Sequence, residues 1–192
     1  MGLLIFSTNV TLDGCLDRQE GIADNEMHAF FTRFMDESGV TLWGRVAYEM
    51  MESYWPAVAR DEAEVPPPIR EWAVKLGAKP KYVVSSTRYE LPGTIAIIPP
   101  AICEKAYRNS RLRPRWSVLL GSGKLAADLD GLDLIEEYKF LVHPRLVEHG
   151  PTLYETGLPR ARQLELVSAK PLRNGIVAIH YRRSLTKVAR EQ

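Results

Sequence analysis

The sequence predicts one α/β domain, and three observations predict it. Apolar runs of strand length alternate with segments of helical periodicity along most of the chain. Three of those strands end in small or polar residues: Gly44-Arg45, Ser85-Ser86-Thr87 and Gly121-Ser122-Gly123. The chain then closes in two β-runs joined across Arg173-Asn174-Gly175, where Asn-Gly is a strong hairpin signal and implies an antiparallel edge.

Bulk properties narrow the function classes. A chain of 192 residues can bury one good core and is short for two. Residues 1–184 are therefore read as a single domain and 185–192 as a charged tail. A composition 45% apolar and 26% charged is that of a globular protein, and a net charge of +1 gives no reason to invoke nucleic acid or a membrane surface. Cys15 and Cys103 stand alone, without a CxxC spacing, which argues against a structural metal site or a disulfide framework. Leu3–Phe6 is too short for a signal peptide and lacks its basic flank, and no stretch approaches membrane-spanning length. The expected location is the cytoplasm.

Taken in order, Leu3–Thr8 reads as a first strand that Asn9-Val10-Thr11 can extend, and Leu12-Asp13-Gly14 turns the chain. Asp24-Asn25 can cap a helix through Met27, Phe30, Phe31, Phe34 and Met35, a core-facing stripe. Val40–Trp43 is a short strand broken by Gly44-Arg45, and Val46–Tyr54 a helix that Trp55-Pro56 should stop. Val65–Pro68 reads as a rigid surface connection before a helix at Ile69–Leu76. Lys81–Val84 and Ile95–Ile98 are strands, and Ala101–Tyr107 a short helix. Arg108, Arg111, Arg113 and Arg115 form a basic loop, best read as solvated. After the strand before Gly121 come a helix from Lys124, a strand at Tyr138–Val142, a loop from His143-Pro144 to Gly150-Pro151, and the hairpin Leu164–Lys170/Ile176–Arg182.

The stretch Trp116–Leu129 concentrates the chemistry: a strand, Gly121-Ser122-Gly123, then good helix formers from Lys124 and Leu125. Glycine lets a ligand approach the backbone, and the first amides of a helix suit a phosphate. An ordinary strand-to-helix turn has the same look. A Walker loop fails, because Val118 and Leu125 occupy its first glycine and its hydroxyl position. A relaxed dinucleotide fingerprint, Gly121-x-Gly123-x-x-Ala126, is met, with Glu148 as the nearby acid for a ribose. Arg45 suits a phosphate, or pairs with Glu49 one turn on.

Thr11-Leu12-Asp13-Gly14, Gly44-Arg45-x-x-Tyr48-Glu49 with Tyr54-Trp55-Pro56, Val83-x-Ser85-x-Thr87, Gly121-Ser122-Gly123, Glu136-Glu137 and Asn174-Gly175-x-Val177 occur together in this order. The set resembles the dihydrofolate-reductase-like family, in particular single-domain relatives of the riboflavin-pathway reductase domain, over residues 3 to 183. The resemblance implies a mixed, mostly parallel sheet flanked by helices with a C-terminal antiparallel hairpin, commonly in a homodimer. It implies an NADPH-dependent oxidoreductase transferring hydride to a small, pterin- or pyrimidine-like heterocycle. Carried over by position, Gly44 and Arg45 would meet the cofactor phosphates, and Ser85, Ser86 and Thr87 the adenosine ribose and its 2′-phosphate. Gly121, Ser122, Gly123, Lys124 and Leu125 would cradle the pyrophosphate, and Val10 and Thr11 would lie by the nicotinamide. Ser86 stands where a basic residue is frequent, so NADH stays open beside NADPH.

Asp13 is the candidate for a polar catalytic role, as orienter or proton relay, although Asp-Gly is also a plain turn. His143, before Pro144, is read as a loop or packing residue. A reductase of this kind competes with a non-catalytic nucleotide-binding or regulatory protein on the same scaffold. A Rossmann dehydrogenase using Glu148 is a third reading.

Overall fold

The architecture is built outward from the first strand. β1 (Leu3–Thr11) is buried at every position except Leu3 and Asn9. Such a near-continuous apolar run belongs to a strand covered on both faces and paired on both edges. The computed structural model describes residues 3–108, 116–155, 158 and 161–184, and there β1 lies parallel to β5 (Trp116–Leu120) on one side and to β6 (Glu137–His143) on the other. With β2 (Val40–Gly44), β3 (Lys81–Val84), β4 (Ala96–Ile98), β7 (Leu164–Pro171) and β8 (Val177–Arg183) they form an eight-stranded sheet in the order β4-β3-β2-β5-β1-β6-β8-β7. Only β8 runs against the common direction: it pairs antiparallel with both β6 and β7, closing the hairpin across Asn174-Gly175.

Successive residues of β1 feed opposite layers, as the period of two requires. Ile5 joins Met27, Phe31, Phe34 and Met35 of α1 (Asn25–Glu37), with Trp43 and Trp72, in one core. Leu4 and Phe6 join Leu42, Tyr138 and Leu125, Ala126 and Leu129 of α6 (Gly123–Gly131) in the other. The expected cap of α1 is present: an Asp24 carboxylate oxygen accepts the Met27 N–H at 2.8 Å.

Two expectations hold only in part at prolines, and for one reason. Trp55-Pro56 does not merely stop α2 (Arg45–Glu52); it opens a further short helix, α3 (Trp55–Ala59). Val65–Pro68 is not wholly a surface connection, because α4 (Pro67–Ala78) begins inside the proline run. The first amides of a helix have no intrahelical acceptor, so a missing N–H costs nothing there and the fixed φ is already helical. A 3₁₀ turn at Arg18–Glu20 was not foreseen. Arg108 ends α5 (Pro100–Arg108), whereas Arg111, Arg113, Arg115 and the tail 185–192 lie outside the described residues. Among the described residues no helix is long and apolar enough to cross a membrane.

A buried charge cluster fastens the hairpin to α6. The Asp130 carboxylate, 1% exposed, accepts from Tyr138 Oη at 2.9 Å and from Arg183 Nη2 at 2.7 Å. Arg162 Nη2 donates to the Asp130 carbonyl at 2.6 Å. Removing one member of such a group strands the remaining charges in low dielectric. Asp130→Ala should therefore lower unfolding stability by about 3–5 kcal/mol in a denaturant titration. A loss under about 1 kcal/mol would mean that the cluster is solvated rather than buried.

Candidate functional site

Because β2 and β5 are sheet neighbours, the two glycine turns that follow them meet. Gly121 takes φ +54°, and a Cβ there would find nothing within 4 Å, so the turn is open as well as left-handed. Ser122 stands at the N-cap of α6, where a serine ordinarily accepts an N–H of the first turn. It makes no such bond. Its Oγ instead accepts the Gly44 N–H at 2.8 Å, tying the start of α2 to the start of α6. The first intrahelical bond of α6 is Ala126 N–H to the Ser122 carbonyl, 2.8 Å. The amides of Gly123, Lys124 and Leu125 therefore carry no side-chain cap at the positive end of the helix dipole, an arrangement suited to an oxyanion. The start of α2 likewise has only Gly44 as its cap residue, with no side chain to close it. A Cβ on Gly44 would lie 3.3 Å from Ser122 Oγ, so any larger residue would press on the hydroxyl that joins the two turns.

The other positions implied by the resemblance are partly engaged elsewhere. Arg45 Nη1 lies 2.6 Å from Glu49 Oε2, the pairing one turn on, while Arg88 Nε approaches the other Glu49 oxygen at 3.4 Å. Ser85 is buried, and its Oγ accepts the N–H groups of Thr87 (3.2 Å) and Arg88 (2.9 Å), shaping the turn. Ser86 and Thr87 are exposed on that turn. The Rossmann reading fails on topology: the strand after α6 pairs with β1, not with β5, so β5-α6-β6 is not an adjacent βαβ unit. Glu148 belongs to the loop beyond β6 and donates its N–H to Asp13.

At the C-terminal end of β1, Val10 and Thr11 are buried, and Thr11 stands in register with His143 of β6. Thr11 Oγ1 donates to one Asp13 oxygen, and the other accepts the N–H groups of Val147 (2.9 Å) and Glu148 (2.8 Å). The Thr11 hydroxyl, then the Glu148 and Val147 amides, hold the Asp13 carboxyl down to about 2. At neutral pH it is an acceptor with no proton to give, and its geometry is that of a latch between the 12–14 turn and the 145–148 loop. His143 has both ring nitrogens occupied: Nδ1 accepts the Ile22 N–H at 2.9 Å, which leaves Nε2–H to face Asn9 Oδ1 at 3.1 Å. Burial, with Arg145 nearby, pushes its pKa down, so the ring is a neutral spacer under the 16–22 loop, in keeping with the packing role read from the sequence.

The carboxylates at the start of α1 are also spoken for. Asp24 caps the helix and accepts from Asn174 Nδ2 at 2.6 Å, and Glu26 accepts the Arg173 N–H at 2.9 Å. One neighbour carries no sequence signal at all. Leu16 lies against the start of α6, where a Cβ on Gly123 would come within 2.5 Å of Leu16 Cδ1.

No protein-family model matches the chain. The Bacillus subtilis (strain 168) protein YyaP, described as uncharacterized, is 26% identical over 183 residues and is covered to 93%, as is this chain. A protein assigned to riboflavin biosynthesis from Shewanella sp. PV-4 superposes with a TM-score of 0.68 at 18% identity, over 95% of this chain and 99% of that one. Dihydrofolate reductase from Enterococcus faecalis, in complex with NADP(H) and RAB-propyl, superposes with a TM-score of 0.63 at 14% identity, over 95% and 96%. The fold is therefore dihydrofolate-reductase-like, of the kind found in riboflavin-pathway reductase domains.

The Asp13 latch has a pH signature. A carboxylate whose folded pKa lies below its unfolded value adds stability above the unfolded pKa and loses it as pH falls through the folded one. Acidification from about pH 4 to about pH 2 should thus remove stability from the native chain that Asp13→Asn never had. Parallel acid-unfolding curves for the two proteins across that window would contradict the latch.

Proposed function

We propose that this chain is an NADPH-dependent oxidoreductase that transfers hydride to a small heterocycle of pterin or pyrimidine type. The observation that carries the reading is the uncapped start of α6, joined through Ser122 to the uncapped start of α2. That juxtaposition suits a pyrophosphate, because uncapped amides at a helix start favour an oxyanion-rich group and a second helix start lies beside them. The residues present fit the cofactor. Gly123, Lys124 and Leu125, with Ser122 at their head, would hold the pyrophosphate by main-chain N–H groups; Gly121, whose N–H goes to the Ser7 carbonyl at 3.2 Å, and Gly44, whose N–H goes to Ser122, would let it approach closely, and Arg45 would meet the neighbouring phosphate oxygens. Ser86 and Thr87 are exposed beyond β3 for the ribose and its 2′-phosphate, on a turn that Ser85 holds in shape. Val10 and Thr11 end the strand over which the nicotinamide would lie. The NADP(H)-bound Enterococcus enzyme of like fold supports the choice of cofactor.

When bound, the nicotinamide supplies the hydride. The protein's part is to orient it and to keep water away. Asp13, ionised and fully hydrogen-bonded, acts here by positioning the 145–148 loop beside the end of β1 and supplies no proton. The two cysteines are buried and unpaired, as suits a cytoplasmic enzyme. The edge strand β7, with Leu166 59% and Val167 46% exposed, offers a second copy an apolar contact.

Fluorescence titration with NADPH and, separately, NADH tests the reading. Micromolar binding with preference for NADPH is expected. Arg45→Ala should weaken NADPH about tenfold or more, the worth of a charge-assisted bond to phosphate. Absence of binding by either nucleotide would overturn the proposal. Binding with no oxidation by any pterin or pyrimidine acceptor would instead favour a non-catalytic nucleotide sensor.

A further inference from the structure

Between α1 and strands β6, β7 and β8 lies a groove of about 290 Å³. Phe30, Arg33 and Phe34 form its α1 wall, and Lys139, Lys170 and His180 its sheet wall. Lys139 and His180 stand side by side in the β6–β8 register. The two carboxylates nearby each have a cation within ion-pair reach. Glu37 has Lys139 at 3.5 Å, and Lys139 Nζ also sits 4.4 Å above the Phe34 ring. Glu137, 2% exposed, holds His180 Nε2 at 2.8 Å and Arg182 Nη2 at 3.0 Å. Arg33 and Lys170, one from each wall, have no ion pair among the described residues. The groove thus combines the half-buried Phe30 ring with two cations that have no ion pair among the described residues.

We infer that this groove binds a small aromatic molecule bearing a phosphate monoester. The ring lies against Phe30, next to the Lys139-covered Phe34, and the dianion bridges the Arg33 guanidinium and the Lys170 ammonium. A volume at the low end for small-molecule sites suits one ring system and is too small for a dinucleotide. The position is separate from the crevice: Lys139 precedes His143 at the crevice end by four residues, about 13 Å along the strand. The inference stands whether or not the crevice binds NADPH.

Calorimetric titration of the full chain with phenyl phosphate tests it, with inorganic phosphate and phenol as controls. Phenyl phosphate should bind with Kd below about 1 mM, at least about tenfold tighter than either control. Lys170→Glu, at an exposed position, should leave the thermal unfolding curve and NADPH titration unchanged while weakening phenyl phosphate about tenfold or more. No saturable binding up to about 10 mM, or equal binding by Lys170→Glu, would overturn the inference.

Discussion

One hydrogen bond organises the crevice: Gly44 N–H to Ser122 Oγ, across 78 positions of sequence. A serine at a helix N-cap usually stabilises its own helix, and forgoing that cap costs about 1 kcal/mol. Here the hydroxyl joins two strand-to-helix turns instead. The exchange leaves the α6 amides available and holds the α2 start beside them. Such a breach of a local rule, in an otherwise consistent fold, is expected where a ligand supplies the missing partner. The sheet order makes it feasible, because β2 and β5 are neighbours and both turns rise from the same edge.

A second set of contacts shapes the rim of that edge. Asp13 gathers the Thr11 hydroxyl and two amides of the loop after β6, and His143 holds Ile22 and Asn9. Both are polar residues at strand ends whose bonding capacity is spent on loop placement. Loops carry function when a rigid scaffold fixes them, and these two residues are the fixings.

Much of the fold was legible in the sequence. The apolar run of β1, the Asp24 cap, the phenylalanine and methionine stripe of α1 and the Asn174-Gly175 turn all act through neighbouring residues, and each gave the element expected. The proline errors arose because proline both ends one helix and opens the next, and only packing decides which occurs at Trp55-Pro56. At the site, the glycine turns were visible, but Ser122's partner was not: its choice of Gly44 over its own helix is long-range. Arg45 offered Glu49 or a phosphate, and both remain physically compatible, since a half-exposed ion pair is weak enough for a dianion to displace. Leu16 against α6 left no trace in spacing or periodicity, for a loop leucine is read only by where its loop lies.

The central claim is that the uncapped start of α6 receives a pyrophosphate, and backbone amide NMR on adding NADP⁺ tests it most directly. The account predicts the largest shifts at Gly121, Gly123, Lys124 and Leu125, with Gly44 and Arg45 following in the same saturable titration. Saturable shifts confined to other parts of the molecule, or none at all, would contradict it.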